Sequence, residues 1–215
     1  MIVAVVNPMP GTGKTLLAVH LAGELALRGH RVLLGDAGLG AGAMQWAENR
    51  RRQRHDALFD VVGLEHGLIA SGRLRTALPE LAEGCGHVII DTPPRPFDQL
   101  PAVLAAADLV LLPVTPDHAP PSAVRASVEA AVQESRCRPE LIVRVVYNGA
   151  RFAVAPEVLA MMNGAHLAGT SASLRDWPVL TWVLAAGLLV QEVARGGPAA
   201  ASVSLIVSEL FGRSG

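Results

Sequence analysis

The sequence predicts an α/β protein: three layers, doubly wound around a mostly parallel sheet. Three observations predict it. Short apolar, β-branched runs alternate with helix-length segments, a glycine-rich loop joins the first run to the first helix, and aspartates stand at the ends of two later runs. Ile2 to Val6 is the first run, apolar throughout as a strand buried on both faces must be. Beyond the loop, Leu16 to Leu27 places Leu17, Leu21 and Leu25 on one stripe of an amphipathic helix, and Gly29 is a helix stop. The spacing then predicts strand Arg31 to Leu34, helix Ala41 to Arg54, strand His87 to Ile90, helix Leu100 to Ala107, strand Leu109 to Pro113, helix Ser122 to Glu134 and strand Leu141 to Tyr147. Ala57 to Leu81 reads as one short strand with one or two short helices. From Pro156 onward the chain reads as mainly helical, with one strand near His166 to Gly169. No repeat, low-complexity run or linker divides the 215 residues, so one domain over residues 1–215 is expected.

Composition bounds the function. A chain with 51% hydrophobic and 17% charged residues is not a disordered one, and a net charge of −1 does not announce a nucleic-acid binder. Two cysteines, Cys85 and Cys137, make no disulfide framework, which fits a reducing cytoplasm. Met1 to Val6 leads straight into the loop without a basic signal segment, and no apolar run reaches membrane-spanning length. The expectation is a soluble, cytoplasmic protein.

The loop Pro8-Met9-Pro10-Gly11-Thr12-Gly13-Lys14-Thr15 ends as a phosphate-binding P-loop does, although Pro8 replaces the first glycine. In such a loop successive backbone N–H groups wrap the phosphates, the lysine reaches the terminal ones, and the threonine hydroxyl binds Mg²⁺ at a helix N-terminus. Lys14 is the only lysine among 18 basic residues, so the compact ammonium stands at the one place that needs it. His87-Val88-Ile89-Ile90-Asp91 sets a carboxylate at the sheet edge that carries the loop, making Asp91 a candidate for the Mg²⁺ shell. Asp36 ends the second strand in the same way and has two readings, a γ-phosphate neighbour or a cap for the following helix.

Asn7-Pro8 before the Gly-x-Gly-Lys-Thr loop, Asp36, Ile90-Asp91-Thr92-Pro93-Pro94, Leu112-Pro113-Val114-Thr115-Pro116 and Tyr147-Asn148 recur in this order and at similar spacing in the ParA/MinD ATPases, P-loop NTPases of the Rossmann-like kind. The chain resembles that family over nearly its whole length, and within it most resembles the small ParF-type plasmid partition proteins. The resemblance implies two subunits that sandwich two ATP molecules, bind DNA or another matrix nonspecifically, and are released when a small partner protein stimulates hydrolysis. It also implies that Gly11, Thr12, Gly13, Lys14, Thr15 and Leu16 hold the nucleotide phosphates of ATP or ADP, and that Thr15 and Asp91 hold Mg²⁺. Lys14 and Asp36 would serve catalysis, and Asn148 would meet the adenine edge. The alternative for Asn148 is a turn residue before Gly149.

Two departures bear on catalysis. The family's first loop lysine, which crosses the dimer to the partner's phosphates, is Met9 here, followed by Pro10, which removes an N–H donor. The family's Asp-x-Asp after the second strand, whose second carboxylate positions the attacking water, is Asp36-Ala37-Gly38. A missing trans cation is worth about 10³–10⁵ in rate, so weak ATP hydrolysis is expected at most. The loop also looks like an AAA+ P-loop, but Asp91 is followed by Thr92-Pro93-Pro94 rather than glutamate, and a full α/β core is expected to leave no room here for the usual lid.

The surfaces give less. Arg50-Arg51-Arg52-Gln53-Arg54 is the one basic cluster, with a solvated helix end and a phosphate or acidic-partner contact as its two readings. The C-terminal region offers only Arg195 and Arg213 to DNA, and Ser202 to Phe211 lacks the basic face of a membrane anchor. Trp177 to Val190, apolar on nearly every face, reads as a buried core helix or an interaction patch. Two functions follow: a ParA-like protein that positions or partitions DNA or a protein cargo through ATP-dependent dimerisation, or a non-hydrolysing scaffold or regulatory subunit acting through protein contacts, for example in a secretion or polymer-synthesis complex.

Overall fold

The computed structural model describes residues 1–38, 42–94, 100–115, 140–148, 168–170 and 178–212, with single positions at 129, 133, 138, 160, 163, 173 and 174. The described strands are β1 (Ile2–Val5), β2 (Val32–Asp36), β3 (Asp60–Gly63), β4 (His87–Asp91), β5 (Leu109–Val114), β6 (Ile142–Tyr147) and β7 (Ala168–Gly169). They form one sheet in the order β3-β2-β4-β1-β5-β6-β7, every pair parallel. The described helices are α1 (Lys14–Leu27), α2 (Gly42–Arg52), α3 (His66–Ala70), α4 (Leu74–Leu81), α5 (Leu100–Ala106), α6 (Pro178–Ala185), α7 (Val190–Val193) and α8 (Pro198–Phe211). The expected helix at Ser122 to Glu134 lies outside the described residues apart from Glu129 and Gln133.

Successive strand side chains point to opposite faces, which divides the core in two. Val3, Val5, Leu34, Ile89 and Leu111 pack on one face with α1, α2, α6, α7 and α8. Ala4, Val6, Leu33, Ile90 and Val110 pack on the other with α3, α4 and α5. Both faces are covered, which is why the central strands read as unbroken apolar runs.

Four expectations are corrected. β2 and β4 run on to Asp36 and Asp91, which are register partners, because the parallel ladder continues through them: the Ala37 N–H donates to the Asp91 carbonyl at 2.9 Å. α1 is not amphipathic, since Leu17 to Leu25 are all buried between the sheet and the C-terminal helices. α2 ends at Arg52 rather than Arg54, which takes the left-handed φ of +60°. Trp177 to Val190 is not one helix: α6 stops at Ala185, and Gly187 (φ +71°) turns the chain into α7. Leu180 and Val183 of that stretch are core residues, whereas Trp182 is 56% exposed, and Trp177 lies outside the described residues.

Candidate functional site

The ends of β1, β2 and β4 bring the loop and both aspartates to one sheet edge, as crevices at the C-terminal ends of parallel strands require. Two residues that sequence reasoning used only as family markers shape the loop's base. Buried Asn7 donates from Nδ2 to the Pro113 carbonyl at 2.7 Å and accepts the Met9 N–H on Oδ1 at 2.8 Å. Thr92 donates from Oγ1 to the Val5 carbonyl at 2.8 Å, tying the end of β4 to the end of β1. Gly11 and Gly13 take positive φ, +74° and +83°, conformations that glycine adopts without steric cost.

Lys14 opens α1 and is 6% exposed, with its Nζ donating to the Met9 carbonyl at 2.9 Å. Burial holds its pKa below the usual lysine value, and the nearby Asp91 charge partly offsets that. Two residues on, the partly buried Leu16 side chain packs against the core. Thr15 donates from Oγ1 to Asp91 Oδ2 at 2.6 Å. Asp91 is 3% exposed, and burial pushes its pKa up to about 7; the Thr15 hydrogen bond opposes this, neighbouring Asp36 adds to it, and Lys14 offsets it in part. Asp91 Oδ1 is buried without a hydrogen-bond partner among the described residues. A buried carboxylate oxygen left open beside a hydroxyl is a pair of hard oxygen donors, and the residues therefore fit a Mg²⁺ ion that shares its shell with phosphate and water.

Asp36 lies beside this pair with both oxygens engaged: Oδ1 accepts the Gly38 N–H at 2.8 Å and Oδ2 accepts the Met44 N–H at 3.0 Å. It therefore caps the start of α2, the second of its two sequence readings, and it does so next to Asp91. Gly42, at the other approach to α2, was not singled out by the sequence. A Cβ there would stand 2.9 Å from Thr15 Oγ1, so the helix start is fitted against the threonine hydroxyl. Asn148 closes the loop from β6, with Nδ2 donating to the Thr12 carbonyl at 2.7 Å.

The arginine run divides: Arg50 is built into the fold, whereas Arg51, Arg52 and Arg54 are exposed, as the solvated-end reading expects. Arg50 is 5% exposed and forms a two-pronged pair with Glu192 at 2.8 and 2.9 Å. Arg51 and Arg52 reach Glu48 on the same helix, at 2.8 Å each. Three side chains of α2 and Gln53 just beyond its end bind four successive carbonyls: Asn49 to Ala185, Gln53 to Ala186, Arg50 to Gly187 and Trp46 to Leu188, at 2.8 to 3.1 Å. The signal was the i, i+3, i+4, i+7 spacing of polar groups, which a cationic run obscures. Among the described residues no helix is long and apolar enough to cross a membrane.

Comparison with known proteins bears on this arrangement. The family described as the CobQ/CobB/MinD/ParA nucleotide binding domain matches residues 3–204. Maintenance of carboxysome distribution protein A of Gloeobacter kilaueensis is 38% identical over 117 residues, covering 54% of this chain and 49% of that protein. Chromosome partitioning protein ParA of Myxococcus xanthus is 33% identical over 145 residues, covering 53% of this chain and 51% of that protein. The chain thus spans about half the length of the curated relatives it matches. A solved ATP complex of McdA from Cyanothece shares the fold, with a TM-score of 0.76 at 18% identity over 100% of this chain and 97% of that one.

Proposed function

This chain belongs to the CobQ/CobB/MinD/ParA family of nucleotide-binding domains, and on that premise we propose that it is an ATP-gated positioning protein of the ParA kind, placing DNA or a protein cargo in the cytoplasm through ATP-dependent dimerisation. The observation that carries the reading is the Thr15–Asp91 pair at 2.6 Å beside buried Lys14, at the mouth of a loop with two positive-φ glycines.

In this reading Gly11 to Leu16 present backbone N–H groups to the phosphates of ATP or ADP, and Lys14 leaves the Met9 carbonyl for the terminal phosphates. Thr15 and Asp91 hold Mg²⁺, which when bound neutralises developing phosphate charge. Asp36 fixes the Gly38 and Met44 amides next to the γ-phosphate position, and Asn148 meets the adenine edge. Relatives named for carboxysome distribution and chromosome partitioning support cargo placement. Absence of lysine and arginine from α8 favours a protein cargo over DNA, with a small partner protein as regulator.

Hydrolysis is weak in this reading. Position 9 carries no cation for the partner subunit's phosphates, and Gly38 offers Asp36 a backbone amide but has no side chain to orient water. The same two positions favour the second reading, a non-hydrolysing scaffold that binds nucleotide and acts through its surface. Sedimentation velocity in Mg-ATP, in Mg-ADP and without nucleotide tests the proposal. A dimer with Mg-ATP alone, accompanied by slow phosphate release, is expected. A monomer under all three conditions refutes ATP-gated dimerisation, and a dimer with no phosphate release favours the scaffold.

A further inference from the structure

Asn148 is pinned on both sides of its backbone before its side chain does anything. Its N–H donates to the Val114 carbonyl at 2.8 Å, it bridges to Leu174 in parallel register, and the fully buried Leu174 returns an N–H to the Tyr147 carbonyl at 2.9 Å. From that fixed position the carboxamide reaches the loop, where Nδ2 donates to the Thr12 carbonyl at 2.7 Å. The approach is close enough that a Cβ on Gly13 would overlap the amide. The contact thus needs a glycine at 13 for space as well as for its φ of +83°.

In a trans peptide the C=O and N–H of one unit point in opposite directions. Holding the Thr12 carbonyl toward Asn148 therefore aims the Gly13 N–H away from it, which in the phosphate-site reading is the side on which phosphate would lie. Glycine's freedom lets the Thr12–Gly13 peptide turn over at little steric cost. Turned over, it would present a carbonyl oxygen to the phosphate in place of a donor. From this geometry we infer that Asn148 is a positioning residue for the phosphate loop: its carboxamide locks the Thr12–Gly13 peptide in the donor-inward orientation. The inference rests on the phosphate-site reading of the loop and gives Asn148 a task separate from contact with a base.

The two tasks are distinguishable with a ligand that has no base. Mg-tripolyphosphate and Mg-ATP are titrated into the wild type, Asn148→Ala and Asn148→Asp, alongside hydrogen exchange on each protein without ligand. Both variants are expected to weaken tripolyphosphate, Asn148→Ala about tenfold for a lost hydrogen bond, and to weaken ATP by at least the same factor. Asn148→Asp loses more, because a carboxylate faces the Thr12 carbonyl. Exchange at the Gly13 and Lys14 amides should rise while the interior of α1, Leu17 to Leu25, keeps its protection, which shows that the fold is intact. Unchanged tripolyphosphate binding with weakened ATP binding would overturn the inference and leave Asn148 a base contact only. If the wild type binds neither ligand, the proposed function fails, and the exchange result still decides the strut: unchanged Gly13 and Lys14 exchange in Asn148→Ala overturns it.

Discussion

Replacing Arg50 by alanine tests whether this one member of the arginine run is built into the fold. The guanidinium gives two hydrogen bonds to Glu192 at 2.8 and 2.9 Å, one to the Asp56 carbonyl at 2.6 Å and one to the Gly187 carbonyl at 3.1 Å, and lies 5.5 Å from the Trp46 ring centre. Breaking a buried ion pair from one side costs about 3–5 kcal/mol, because the partner charge and the carbonyls are left unmatched. The Glu192 side chain is 26% exposed and recovers some hydration, which sets the expectation at the lower end, about 3 kcal/mol. Urea unfolding followed by circular dichroism measures it, with Arg51→Ala as the comparison. Arg51 is 76% exposed and, among the described residues, is paired with Glu48 on its own helix, so its loss leaves the midpoint in place. The reasoning is refuted if Arg50→Ala unfolds at the same urea concentration as Arg51→Ala.

Two further outcomes are expected. His20 is fully buried on α1, donating from Nδ1 to the Leu16 carbonyl and accepting the Val190 N–H on Nε2, and burial drops its pKa to about 4. The folded state therefore disfavours the proton: stability is full above the unfolded value near 6.5 and declines as pH falls from there to about 4, by about 3 kcal/mol in all. Asp91, pushed up to about 7, bends the profile the other way, so the difference between wild type and His20→Gln isolates the histidine; parallel profiles would contradict the assignment. Gly42→Ala crowds Thr15 Oγ1 and is expected to lower Mg²⁺-dependent nucleotide affinity about tenfold with metal-free affinity unchanged. Equal losses with and without the metal would place the effect elsewhere.

What the sequence revealed, it revealed through periodicity and position. Buried parallel strands leave continuous β-branched runs, so β1, β2, β4, β5 and β6 were legible, and the loop between β1 and α1 was legible by its glycines and lysine. The carboxylates at the ends of β2 and β4 were legible as site candidates because a parallel sheet brings strand ends to one edge. Contacts between segments distant in sequence were not. Arg50 looks like part of a solvated cationic helix end until α2 is seen against the Ala185–Leu188 turn, and Gly187 is needed because a Cβ there would strike the Arg50 backbone. Trp182 sits in an apolar run yet is exposed, while Leu180 and Val183 of the same helix are buried. The hold of Asn148 on Thr12 spans 136 residues and leaves no local pattern.

The central claim, that this loop binds nucleotide phosphates with Mg²⁺, is tested most directly by calorimetric titration of Mg-ATP and Mg-ADP into the wild type and Lys14→Ala. Micromolar binding by the wild type, abolished in the variant while its fold is retained, is the predicted result. A folded wild type that takes up neither nucleotide would contradict the claim and leave a P-loop fold that works through its surface alone.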